Sequence, residues 1–294
     1  MERIKLKVPA TSANLGAGFD SVGIAFCLYN QIEFEKQKHG FCIEGCPPKD
    51  CGEANLAYVA YREVCKRIGK DPWVRITFCE TNVPISRGLG SSAALICAGA
   101  YAANALWGNV LSKEEILQIC VGVEGHPDNV APALFGGLCV SVTEGQKTHS
   151  VRFDVSEKLC FTVLIPSFRV STKQARAVLP KEVLRTDAVY NLSRAALLPY
   201  ALETGNVELL KITTGDRLHE QYRKQLFRNA AEVESLCREC GGETFNVSGA
   251  GPTFLCISAH RMEEALNEKL QGIANGWKAL AVTINKKGIE EVSQ

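Results

Sequence analysis

The stretch Pro84-Ile85-Ser86-Arg87-Gly88-Leu89-Gly90-Ser91-Ser92-Ala93-Ala94 constrains this chain more than any other. It follows an alternating run, Trp73 to Cys79, that reads as a half-buried strand, and it opens a long apolar helix at Ser91. Glycines at 88 and 90 permit positive φ and let a ligand approach the backbone closely. The helix N-terminus adds unpaired N–H groups and partial positive charge. Ser91 and Ser92 can cap the helix or offer a hydroxyl to a metal. The arrangement suits a triphosphate. A plain cap would need neither two spaced glycines nor paired serines.

Three further segments carry candidate chemistry. Pro9-Ala10-Thr11-Ser12-Ala13-Asn14-Leu15-Gly16-Ala17-Gly18-Phe19-Asp20 follows the first strand. Asp20 could take an ammonium and Asn14 could orient a hydroxyl; a strand-to-strand turn rich in turn formers is the alternative. In Glu124-Gly125-His126-Pro127-Asp128-Asn129, Asp128 or Asn129 could simply cap a short helix. Glu124 ends a helix, where an acidic side chain is unfavourable unless a cation such as Mg²⁺ compensates. A solvated surface glutamate is the other reading. Asn246-Val247-Ser248-Gly249-Ala250-Gly251-Pro252-Thr253 is either a hairpin turn or backbone that closes over a ligand.

The first half mixes strands (Ile4 to Val8, Val22 to Glu35, Trp73 to Cys79, Leu138 to Val142) with helices. One helix covers Asn55 to Ile68, and another runs from the capping box Ser112-x-x-Glu115 to about Val123. The second half places strands at Cys160 to Ile165, Glu243 to Val247, Thr253 to Ser258 and Lys278 to Ile284. Helices fall near Thr172, Asp187, Asn206 and His219, then at Asn229 to Cys240 and Met262 to Gln271. This order predicts an α+β architecture whose second unit carries a ferredoxin-like sheet. The polar stretch Glu144 to His149 suggests a division into residues 1–150 and 151–294.

Composition narrows the classes. A net charge of +1 gives no footprint for nucleic acid. The longest apolar run, Ala93 to Trp107, is broken by Asn104 and falls short of the roughly 20 residues a membrane span needs. The N-terminus lacks the apolar stretch of a signal peptide. Thirteen cysteines, among them Cys97, Cys139, Cys160 and Cys256 in apolar runs, read as reduced buried thiols of a cytoplasmic protein. Cys237-x-x-Cys240 sits at a helix end, where the dipole would not activate a thiol. Walker A, GxGxxG, G-x-S-x-G, HExxH and EF-hand patterns are all absent.

Taken in order, PATSANLGAGFDS, PISRGLGSSAA, EGHPDNVAPALFGG and NVSGAGPT resemble the motifs of the GHMP small-molecule kinases over nearly the whole chain. The resemblance implies an N-terminal ribosomal-protein-S5-like domain and a C-terminal ferredoxin-like domain. ATP phosphates would lie on residues 84–94, with Asn55 on the nucleotide side. Ser92 and Glu124 would coordinate Mg²⁺. Asn14, Asp20, His126, Asp128 and Asn129 would line the acceptor pocket, joined by Thr172 and Arg176 of Ser171-Thr172-Lys173-Gln174-Ala175-Arg176 and by Arg223 of His219-Glu220-Gln221-Tyr222-Arg223.

Asp-Asn after His-Pro and the opening PATSANLG point to family members whose acceptor is L-homoserine, phosphorylated on the way to threonine. Two arginines suit its carboxylate and Asp20 its ammonium. For the hydroxyl, Asp128 as base and Asn129 as an orienting group without any base both stay open. Two departures stand out: Ala17 replaces the usual proline of GPGFD, and Gln221 replaces the proline before Tyr222. The alternatives are another acceptor, such as mevalonate, or a nucleotide-binding member without catalysis. A homodimer is the candidate assembly.

Overall fold

A computed structural model describes residues 1–292. The chain begins with two long antiparallel strands, β1 (Arg3–Asn14) and β2 (Gly18–Lys36). Ile4, Leu6 and Val8 alternate inward, as their spacing predicts. After β3 (Phe41–Glu44) comes α1 (Leu56–Ile68), capped by Asn55 and closed by Gly69 in the left-handed region. β4 (Val74–Thr81) leads through the glycine loop into α2 (Ser91–Leu106). α3 (Lys113–Glu124) opens on the expected capping box of Ser112 and Glu115. The short α4 (Val130–Phe135) then precedes β5 (Leu138–Glu144) and β6 (Lys147–Phe153).

The second half starts at β7 (Cys160–Ile165). Helices α5 (Thr172–Ala177), α6 (Arg185–Thr204), α7 (Val207–Thr213), α8 (Glu220–Arg223) and α9 (Ala230–Glu239) follow. Then come β8 (Asn246–Val247), β9 (Phe254–Ser258), α10 (Glu263–Leu270), β10 (Lys278–Val282) and β11 (Glu290–Glu291).

Two sheets result. The first runs β11-β1-β2-β4-β3, with β5 and then β6 joined onto β2. The apolar faces of α1, α2 and α3 cover it, giving a core in which Phe34 stacks on Tyr61. α2 is apolar all round and is buried accordingly. The second sheet has the antiparallel order β10-β7-β9-β8, the ferredoxin-like arrangement expected.

Several details differ from the sequence reading. The polar stretch near residue 150 is a hairpin turn followed by β6, so a cut at 150 falls inside a strand. The C-terminal residues return to the first sheet: Ile284 bridges Phe26, and β11 pairs with β1. We therefore propose that the second unit begins after Phe153 and ends near Thr283. The strand expected at Glu243 to Val247 shrinks to Asn246–Val247, because the N–H groups of Glu243 and Thr244 both meet Ile257 O. Cys160 is only half-buried, and Cys237 meets Cys256 rather than Cys240, with sulfurs 3.0 Å apart.

Candidate functional site

The end of β1, the start of β2, the loop between β4 and α2, the end of α3, the start of α5, and α8 converge on one cavity of about 540 Å³. Both halves of the chain line it.

The glycine loop forms one wall. Gly90 caps α2 in the left-handed region at φ 68°, and no side chain caps the helix, so its first amides are left for a ligand. A Cβ on Gly90 would run into the Thr11 hydroxyl, and one on Gly88 into Ser248 O. Four successive carbonyls of this loop are tied down. Ser86 O accepts from Val170 N, Arg87 O from Thr253 N, Gly88 O from Ser248 Oγ and Leu89 O from Thr11 N. The loop is thus held by the second half of the chain, including the Asn246 to Thr253 segment, which pairs as a turn and also packs over the loop. Ile85, Ser86, Gly88, Gly90, Ser91 and Ser92 line the cavity.

Other residues of the expected phosphate segment do not line it. Leu89, Ala93 and Ala94 are buried in the core. Pro84 is also outside the lining. Arg87 turns away to donate to Pro166 O (2.9 Å) and Ser167 O (2.7 Å), a clasp between the two halves.

Asn55 lines the cavity, but both ends of its amide are engaged. Oδ1 accepts from Ala57 N (3.0 Å) and Nδ2 donates to Asp50 O (2.8 Å). That pins the segment Cys46 to Asn55 at the cavity edge and brings in Lys49, which the sequence reading misses.

Ser92 donates to Glu124 Oε1 at 2.5 Å, joining the start of α2 to the end of α3. Burial raises the Glu124 pKa, outweighing the Ser92 hydrogen bond and the nearby charge of His126. Two hard oxygen ligands beside an uncapped helix start suit a cation that keeps its remaining positions for water and phosphate, as Mg²⁺ does.

The acceptor wall is built from side chains. Asn14, at φ 75°, accepts from Asp20 N through Oδ1 and donates to Gly249 O through Nδ2. Asp20 forms a two-pronged ion pair with Arg176, at 2.8 and 3.1 Å. Burial works against the Arg176 charge, but Asp20 outweighs it and raises the pKa. Asp128 Oδ1 receives His126 Nδ1 (2.7 Å) and Asn129 Nδ2 (3.2 Å). Asn129 Oδ1 accepts from Thr11 Oγ1 (2.8 Å). Among the described residues, nothing donates to Asp128 Oδ2. The His126 pKa is depressed by burial, but Asp128, then Glu124, raise it overall.

Thr172 lines the cavity at the first turn of α5. Arg223 also lines it, so Gln221 does not displace it. Its guanidinium is nonetheless partly committed, donating to Gly249 O (2.8 Å) and Ala175 O (3.3 Å) beside the Phe19 ring. Burial, then the charge of Arg176, lower its pKa.

Residues 55–137 match the family model for the GHMP kinases N terminal domain. Homoserine kinases of Clostridium botulinum and Clostridium beijerinckii are 40% and 41% identical to the chain over 289 residues, covering 97% of each sequence. The chain belongs to the homoserine kinase family. The crystal structure of homoserine kinase from Cytophaga hutchinsonii superposes with a TM-score of 0.89 at 27% identity, covering 99% of this chain and 98% of that one. Membership in the homoserine kinase family makes the chain a phosphotransferase that draws on ATP and acts on a hydroxyl of a small molecule. No helix among the described residues is long and apolar enough to cross a membrane.

Proposed function

We propose that the chain transfers the terminal phosphoryl group of ATP to the hydroxyl of L-homoserine, giving O-phospho-L-homoserine for threonine biosynthesis. The observation that carries this reading is the Asp20–Arg176 ion pair on the cavity wall. A zwitterionic amino acid can insert there, its ammonium on Asp20 and its carboxylate on Arg176. Opposite charges then replace opposite charges, so neither side chain is left unpaired in a half-buried site. Mevalonate carries no ammonium and would strand Asp20.

The uncapped amides of α2 would bind the triphosphate, with Lys49 at the cavity edge as a further cation. Ser92 and Glu124 would hold Mg²⁺ there. When bound, such an ion neutralises charge on the phosphate oxygens. Asp128 would present Oδ2 to the acceptor hydroxyl and take its proton, held in place by His126 and Asn129. Phosphoryl transfer passes through a loose transition state, so a weak base in the right position suffices. Arg223 would hold Gly249 and α5 in place beside the carboxylate site.

Coupled measurement of ADP release by the purified chain with ATP and Mg²⁺ tests this across homoserine, mevalonate, threonine and galactose. Homoserine-dependent turnover is expected. Turnover of mevalonate but not homoserine would overturn the acceptor assignment, and nucleotide binding without turnover would mark a non-catalytic member. Asp20→Ala should lower kcat/KM for homoserine by about 100-fold, the scale for losing one partner of a desolvated charge pair. The KM for ATP should stay within about threefold of its original value.

A further inference from the structure

His219 is fully buried at the start of α8, behind the acceptor wall rather than on it. Its ring nevertheless meets the supports of both charged partners. Nε2 lies 3.0 Å from Gly16 O, in the turn between β1 and β2. Nδ1 lies 3.3 Å from Arg223 Nη1. The ring stacks on Phe19, with centroids 5.0 Å apart and planes at 21°, and Phe19 immediately precedes Asp20. The Arg223 guanidinium lies over the same Phe19 ring, 5.2 Å from its centroid.

These partners fix the proton on the imidazole. A guanidinium only donates, so Nδ1 is the acceptor and carries no hydrogen. A carbonyl only accepts, so the single ring proton sits on Nε2 and is donated to Gly16 O. Asp216 Oδ1 is 3.7 Å from Nε2, beyond hydrogen-bond reach. That carboxylate is engaged elsewhere: Oδ1 accepts from Asn191 Nδ2 and Leu218 N, and Oδ2 from the N–H groups of His219 and Glu220. A proton on Nδ1 would set a second cation against Arg223 with no acceptor between them. His219 is therefore a neutral ring of one defined tautomer.

Arginine carries five N–H hydrogens in a rigid fork. Nε of Arg223 donates to Ala175 O, and the two hydrogens of Nη1 go to Gly249 O and His219 Nδ1. The two on Nη2 have no acceptor among the described residues, and the side chain lines the cavity. His219 thus supplies one of the contacts that hold the fork still while Nη2 is left for an acceptor's carboxylate, beside Arg176.

We propose that His219 is a positioning residue for the acceptor. Its neutral imidazole couples the turn that leads to Asp20 with the guanidinium of Arg223, and so sets the spacing between the ammonium and carboxylate subsites. The inference rests on the amino-acid acceptor proposed above.

Steady-state kinetics of two variants test it, with a melting curve for each. In His219→Gln the amide nitrogen can still reach Gly16 O, but the acceptor for Arg223 is gone. In His219→Asn the amide oxygen takes the place of Nδ1, and the bond to Gly16 is lost. His219→Gln should raise the KM for homoserine about tenfold, the scale for one hydrogen bond to a charged group. Its kcat and its KM for ATP should stay within about threefold of the original values. His219→Asn, which keeps the acceptor for Arg223, should raise the KM for homoserine only about threefold. 3-Aminopropan-1-ol lacks only the carboxylate of homoserine, so its inhibition constant should be the same for His219→Gln as for the original chain.

Equal losses in the two variants, or a matching loss for the analogue, would overturn the proposal and leave His219 a packing residue. If the original chain fails to turn over homoserine, the acceptor assignment falls instead. Imidazole nitrogen NMR of the original chain needs neither variant nor turnover. The His219 ring, assigned through its contact with Phe19, should carry its proton on Nε2 alone at neutral pH. A proton on Nδ1 would overturn the proposal even if both variants failed to fold.

Discussion

The two walls of the cavity are made by different means. The donor wall is mostly main chain: two glycines at positive φ, an uncapped helix start and carbonyls tied down from behind. The acceptor wall is mostly side chain, with Asp20 against Arg176 and His126 against Asp128. A backbone cradle recognises a group shared by every nucleoside triphosphate. A set of opposed charges recognises one arrangement of ammonium and carboxylate. The difference separates what a kinase needs for its common substrate from what it needs for its particular one.

The sharpest way to break this comparison is at Gly90. Valine there would be forced into the left-handed region, and its Cβ would collide with Thr11 Oγ1 beside Asn129. Thr11 and Asn129 belong to the acceptor side, so this is where the two walls touch. Gly90→Val should lower kcat/KM by at least about 100-fold for every acceptor, through misplacement of the phosphates. Calorimetric titration with a non-hydrolysable ATP analogue should show the same loss of nucleotide affinity. Retained nucleotide affinity with lost turnover would mean that the damage lies on the acceptor side, and the proposed division of labour would be wrong.

Glu124→Gln is expected to have the next largest effect. Removing the charge while keeping the shape should cost about 100-fold in kcat/KM at limiting Mg²⁺ and little in homoserine affinity. The pH dependence gives a second check. Burial raises the Glu124 pKa above its ordinary 4.5, so the folded chain favours the protonated form. Charging the carboxylate therefore costs stability as pH rises through that raised value, and the cost is relieved as pH falls through it. A metal needs the charged form. The Mg²⁺ concentration for half-maximal activity should climb as the solution is acidified, beginning above pH 4.5, and Glu124→Gln should abolish that climb. A Mg²⁺ requirement insensitive to both the substitution and pH would remove Glu124 from the metal site.

The same contrast explains how much of the molecule the sequence reveals. The donor wall is legible because its signals are local: spaced glycines, a strand before them and an apolar helix after them. The capping box at Ser112 is local for the same reason. The acceptor wall joins Asp20 to a partner 156 residues away, and no spacing reveals that; only the resemblance brings the two together. Reading the side chains singly assigns Asp20 and Arg176 to separate ligand groups and misses that they satisfy each other. β6 escapes notice because its residues, Lys147 to Phe153, are largely polar and pair with β5 alone. β3 and β11 are too short for an alternating pattern to register. Lys49 carries no motif and reaches the cavity because Asn55 pins its loop.

The smallest expected effect is at His126, and its sign is the informative part. The imidazole lies 2.7 Å from Asp128, with Glu124 nearby, and these carboxylates overcome burial to raise its pKa above the ordinary 6.5. A group whose folded pKa exceeds its unfolded value stabilises the fold fully below the unfolded pKa. That contribution is lost as pH rises through the raised, folded value. The melting temperature of the original chain should therefore fall across that window above pH 6.5, and His126→Asn should flatten the fall. Activity should drop only a few-fold, because Asn129 still holds Asp128 Oδ1. The loss should appear in kcat for homoserine and leave the KM for ATP unchanged, since the hydrogen bond of His126 is to Asp128 on the side-chain wall. A variant that loses nucleotide affinity, or that keeps the full pH dependence of melting, would show that His126 serves the donor wall or that its pairing with Asp128 contributes nothing to the fold.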